Sequence, residues 1–95
     1  MIMKIGFIGL GKHSLRAHVK FLTKHELVGF DPNQDSIKEF LKIVPNSVSY
    51  SNFDEFIDNE QYFDAIYICS PDEHHIKQMK SIKNQTKHIF CEKPP

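Results

Sequence analysis

Apolar residues fall in two arrangements along the chain, short unbroken runs and sets spaced three or four apart, and the two alternate. Met3 to Ile8 is a run broken only by Lys4, as expected of a strand buried on both faces, and it stops at Gly9 and Gly11. Ser14 to Leu22 follows, with Leu15, Val19 and Leu22 on one helical stripe. Glu26 to Phe30 is a second run, closed by Asp31-Pro32-Asn33. Asp35 to Ile43 predicts a second helix, its inner stripe carrying Ile37, Phe40 and Leu41 and continuing to Val44. Pro45-Asn46 is a turn, and Ser47 to Tyr50 a short third strand. Asn52, with Glu55 three residues on, starts a short helix that turns Phe53, Phe56 and Ile57 inward. Asp64 to Cys69 is a fourth strand. Ser70-Pro71-Asp72-Glu73 then places a serine cap, a proline at the first helical position and an acid at the third. That helix runs to about Asn84, and His88 to Cys91 is a fifth strand.

Strands that alternate with helices predict an α/β fold. Right-handed crossovers make it a doubly wound parallel sheet of the Rossmann type, with five strands in the order 3-2-1-4-5. A chain of 95 residues makes one domain. Twelve basic and twelve acidic side chains cancel, so a nucleic acid or other polyanion is not an expected partner. The apolar N-terminus is too short to span a membrane, and no small-residue cleavage site follows it. Cys69 and Cys91 each close an apolar run, which predicts buried, reduced thiols and a cytoplasmic protein. The six histidines show no metal-binding spacing, and His18 reads as a structural residue of the first helix.

The chemistry concentrates at Gly9-Leu10-Gly11-Lys12-His13-Ser14, which fits G-x-G-x-x-[G/A/S] between a strand and a helix. In that pattern the first glycine permits a tight turn and the second lets backbone approach a pyrophosphate. The small third residue lets helix and strand pack closely. Phosphate would then meet unpaired N–H groups at the helix start. A glycine pair after a strand also closes an ordinary turn, so context matters. Asp31 ends the second strand about twenty residues on, where a carboxylate accepts from ribose hydroxyls and repels a 2′-phosphate. NAD is therefore expected ahead of NADP. Asp before Pro is also a common turn pair, and that alternative stays open.

With Ser70-Pro71-Asp72, His75 and Cys91-Glu92-Lys93-Pro94, the chain resembles the N-terminal domain of the Gfo/Idh/MocA oxidoreductases over essentially its whole length. In that family the fourth strand usually ends in Thr-Pro-Asn and the fifth in Glu-Lys-Pro. The resemblance implies an oxidoreductase acting on a sugar, polyol or sugar-nucleotide hydroxyl with a nicotinamide dinucleotide. Gly9, Leu10, Gly11, Lys12, His13 and Ser14 would line the pyrophosphate turn. Asp31 would hold the ribose, with Ser70, Pro71 and Glu92 running along the cofactor. Lys93 would act in catalysis, stabilising negative charge on the reacting oxygen.

The family's enzymes carry a second domain beyond Glu-Lys-Pro that supplies most of the substrate pocket. Residues 1–95 are therefore expected to be the dinucleotide-binding half, able to bind cofactor without turnover. A stand-alone nucleotide-binding or regulatory module that pairs with another chain is the alternative. The fifth strand would be an exposed edge, which leaves self-association open.

Overall fold

The computed structural model describes residues 1–60, 62–70, 77, 78, 80, 82 and 84–91. In chain order the elements are β1 (Lys4–Ile8), α1 (Lys12–Ala17), a 3-10 turn (Val19–Phe21), β2 (Glu26–Phe30), α2 (Gln34–Ile43), β3 (Val48–Tyr50), α3 (Phe53–Asn59), β4 (Phe63–Ile68) and β5 (Thr86–Cys91). Residues 77, 78, 80 and 82, ahead of β5, are also helical. The strands form one sheet in the order β3-β2-β1-β4-β5, with every neighbouring pair parallel. This is the doubly wound arrangement that the alternating pattern predicts.

Two apolar layers enclose the sheet, because strand side chains alternate between its faces. Ile5, Phe7 and Leu27 meet Leu15, Val19, Ile37 and Phe40 on the side of α1 and α2. Ile8, Val28, Ile66 and Ile68 meet Phe56 of α3 and Ile82 on the other. Phe7, Tyr67 and Phe90 stack across β1, β4 and β5, with centroids 5.2 and 5.0 Å apart. The row passes from buried Phe7 to exposed Phe90, so cover thins towards β5.

Several local expectations change, among them the start of β5, at Thr86 rather than His88. The first helix begins at Lys12 rather than Ser14 and stops at Ala17 rather than Leu22. At His18 the backbone turns to φ −124°, ψ −60°, outside the helical region. The chain goes on as a 3-10 turn, with the Leu22 N–H donating to the Val19 carbonyl. A spacing of three residues between Val19 and Leu22 suits that turn as well as an α-helix. The buried thiol expected at Cys91 is not found. Cys91 is exposed on edge strand β5, while Cys69 is half-buried. Finally, α2 starts one residue early, because Asn33 caps it by accepting from the Asp35 and Ser36 N–H groups.

A buried carboxylate ties two strands together. Glu60, just past α3, takes Lys4 Nζ of β1 at 2.7 Å and the Tyr50 hydroxyl of β3 at 2.6 Å. Burial first, and then the hydrogen bond to Glu60, push the Tyr50 phenol up to about 12. The Gln85 side-chain amide donates to the Ile57 and Glu60 carbonyls, tying the end of α3 to the approach to β5.

Candidate functional site

The C-terminal ends of β1, β2 and β4 lie side by side, with Ile8 in register with both Phe30 and Ile68. The chain leaves β1 for β2 on one side and reaches β4 on the other, so this is the switch point of the sheet, where doubly wound folds place their ligands. A cleft of about 560 Å³ opens here. Of the predicted site residues, it brings together Gly9, Gly11, Asp31 and Ser70.

The two glycines serve different ends. Gly9 has φ +103°, and a Cβ on it would stand 2.7 Å from the Ser70 nitrogen and 2.9 Å from the Cys69 carbonyl carbon. Its own N–H donates to the Phe30 carbonyl at 2.8 Å, and the Cys69 N–H donates to the Ile8 carbonyl at 2.7 Å. Chain packing alone therefore requires glycine at position 9. Gly11 has ordinary extended angles, φ −69° and ψ 172°, and a Cβ on it would meet nothing within 4 Å among the described residues. It is the cap residue of α1 and, as a glycine, brings no side chain of its own to cap that helix. Position 11 itself thus offers the first-turn N–H groups no side-chain acceptor of the kind a serine or aspartate cap supplies. With α1 only six residues long, attraction for an anion comes from these nearby amides more than from a long helix dipole.

Leu10 points the other way. Its side chain is fully buried, and its N–H donates to Asp31 Oδ2 at 2.8 Å. The other Asp31 oxygen accepts from the Asn33 N–H, also at 2.8 Å. Lys12 and His13 are exposed on the first turn of α1, and the His13 ring meets His18 edge-on at 6.1 Å. His18 rests against Tyr67 at 4.8 Å, a packing position. Ser14 is buried beneath the turn, as close packing of helix on strand requires, and its hydroxyl has no partner among the described residues. The Ser70 hydroxyl donates to Gln78 Oε1. Pro71, Glu92 and Lys93 lie outside the described residues.

The sequence reading did not place Phe53, Lys77 or Gln78 at the cleft, yet each lines it. Phe53 opens α3 directly after its Asn52 cap, and its ring packs edge-on to Phe30 at 5.3 Å. A cap at the carboxyl edge of the sheet is the signal that could have placed Phe53 there. The cleft thus combines open space at Gly11, an aromatic wall and a carboxylate with two fixed oxygens. A dinucleotide needs room for pyrophosphate, an apolar surface for a base and an acceptor for ribose hydroxyls, so the residues present fit one.

Residues 3–95 match the model of an oxidoreductase family with an NAD-binding Rossmann fold. The chain is 30% identical to myo-inositol 2-dehydrogenase of Thermotoga maritima, over 97% of its own length and 28% of that protein's. It is similar in structure to scyllo-inositol dehydrogenase of Lactobacillus casei, solved with bound NAD(H) and scyllo-inositol. The TM-score is 0.79 at 25% identity, over 99% of this chain and 28% of that one. Prephenate dehydrogenase of A. aeolicus, at 18% identity and a TM-score of 0.67 over 96% of this chain and 33% of that one, shares the fold. The chain therefore spans just over a quarter of the length of the inositol dehydrogenases it matches. Because the family match runs from residue 3 to residue 95, taking in the glycine turn, Asp31 and all five strands, the chain belongs to the Gfo/Idh/MocA oxidoreductase family, whose NAD-binding Rossmann domain it represents.

Proposed function

We propose that this chain holds NAD(H) for hydride transfer to and from the hydroxyl-bearing carbon of a sugar or polyol, and that a further domain supplies most of the substrate pocket. The observation that carries the reading is the pairing of clear space at Gly11 with the Asp31 carboxylate in one cleft. Pyrophosphate fits against the first-turn amides of α1. The adenosine ribose hydroxyls fit the unused lone pairs of Asp31, and a 2′-phosphate there meets like charge, which favours NAD over NADP. The inositol dehydrogenase with bound NAD(H) and scyllo-inositol supports a polyol substrate.

When bound, the nicotinamide accepts or returns the hydride. By the family resemblance, Ser70, Pro71 and Glu92 flank the cofactor and Lys93 stabilises charge on the reacting oxygen. Calorimetric titration with NAD+, NADH and NADPH tests the reading. Binding of NAD(H) ahead of NADPH, without oxidation of myo- or scyllo-inositol by the 95-residue chain, is expected. Absence of binding at millimolar NAD(H) would overturn the assignment, and turnover would overturn the need for a further domain.

A further inference from the structure

We infer that Gln78 is a positioning residue for the second ribose of the dinucleotide: by taking the Ser70 proton, it sets that hydroxyl as an acceptor for a ribose hydroxyl rather than a donor to phosphate. The inference rests on the dinucleotide reading above and deepens it. Ser70 and Gln78 both line the cleft, and both are half-buried. The Ser70 hydroxyl donates to Gln78 Oε1, eight residues on. A serine hydroxyl has one proton and two lone pairs. With the proton committed to Gln78, every other bond that Ser70 Oγ makes is one it accepts. An ionised pyrophosphate also only accepts, so Ser70 has no proton to offer it. A ribose hydroxyl can donate, and it suits the site.

The order of the strands identifies the ribose. Asp31 follows β2, the glycine turn follows β1 and Ser70 follows β4, and these strands are neighbours in that order. Neighbouring strands lie about 4.8 Å apart, so Asp31 and Ser70 belong to strands about 10 Å apart with the glycine turn between them. With the adenosine ribose at Asp31 and the pyrophosphate at Gly11, the sugar beyond the pyrophosphate comes over Ser70. The Ser70 backbone is already fixed there. A Cβ on Gly9 would stand 2.7 Å from the Ser70 nitrogen, and the preceding Cys69 N–H donates to the Ile8 carbonyl. What the backbone leaves open is rotation of the Ser70 side chain among its staggered positions. Gln78 selects one of them.

The test compares ADP, ADP-ribose and NAD+ by calorimetric titration of the chain and of the variants Gln78→Met, Ser70→Ala and the two combined. ADP carries the adenosine and both phosphates but no second ribose. Gln78→Met is expected to weaken binding of ADP-ribose and NAD+ by about three- to tenfold, the worth of one hydrogen bond, and to leave ADP unchanged. Ser70→Ala is expected to do the same. Adding Gln78→Met to it should cost nothing further, since Gln78 acts only through Ser70. Equal losses for ADP and ADP-ribose would place the hydroxyl on phosphate, and a full Gln78→Met loss in the Ser70→Ala background would make Gln78 a direct contact. Either result overturns the inference. Where circular dichroism shows that Gln78→Met has lost its fold, Gln78→Asn takes its place: its amide is one carbon too short to reach Ser70, and it must reproduce the split between ADP and ADP-ribose. If wild type binds no NAD+, the reading of the site falls and this inference with it. If wild type binds and Gln78→Met keeps its affinity, the inference alone falls.

Discussion

Alanine at each of the two turn glycines should give opposite results. At Gly9 the substitution forces a side chain onto φ +103°, which costs about 1–3 kcal/mol. The new Cβ also stands 2.7 Å from the Ser70 nitrogen and 2.9 Å from the Cys69 carbonyl carbon. These are backbone atoms of a segment bonded to β1, so they cannot rotate away, and such overpacking adds about 1–3 kcal/mol. A chain of this length has a total stability of about 5–14 kcal/mol, so Gly9→Ala should remove a large fraction of it. At Gly11 the backbone angles suit alanine and the space is open. Reduced freedom of the unfolded chain and a poorer helix cap oppose each other there, at about 1 kcal/mol or less each. Stability should hardly move, yet the methyl would stand where the proposed pyrophosphate approaches. Urea denaturation followed by far-ultraviolet circular dichroism measures the first effect, and titration with NAD+ the second. A stable Gly9→Ala protein would refute the packing argument, and a Gly11→Ala protein with wild-type affinity would refute the placement of the phosphates.

Three further outcomes follow from individual groups. Ser14→Ala should leave stability unchanged or raise it by up to about 1 kcal/mol, because it removes a buried hydroxyl with no partner among the described residues; a loss of more than that in urea melts would reveal a bond to the hydroxyl. Glu60→Ala should cost about 1–3 kcal/mol by leaving Lys4 and the Tyr50 hydroxyl unsatisfied, and a neutral result would show that water replaces the carboxylate. Since the folded state holds the Tyr50 proton more tightly than the ordinary value of 10.0, stability should be steady below pH 10 and fall as pH rises from 10 towards 12. Tyr50→Phe should flatten that alkaline limb, and an unchanged limb would assign it to other groups.

How much was readable in the sequence depends on the range of the interaction. The runs ending at Ile8, Phe30 and Cys69 announced buried parallel strands because burial on both faces leaves no place for alternation, although the fourth strand itself stops at Ile68. The Asn52 cap was legible because its acceptor lies within one turn of the amide it satisfies, that of Glu55. The end of α1 was not, since Leu15, Val19 and Leu22 keep an apolar stripe whether the chain coils as α or 3-10. At the site, the glycine turn and Asp31 were visible as residue types at a spacing. The hydrogen bond between them depends on the alignment of Ile8 with Phe30, which no local pattern states. Glu60 shows the same limit more sharply. Nothing near it in sequence marks a buried carboxylate, and its partners Lys4 and Tyr50 come from two different strands.

The two margins of the sheet differ in a way that gives it a direction. β3 offers three residues at one margin, a short edge with little ladder to extend. β5 offers six at the other, with Phe90 exposed beside them. A strand from elsewhere, whether from a continuing chain or from another molecule, therefore gains more by joining beside β5. The cleft, in contrast, draws on the ends of β1, β2 and β4 and takes no wall from β5 among the described residues. Among the described residues, the open margin of the sheet and the walls of the cleft are therefore furnished by different strands.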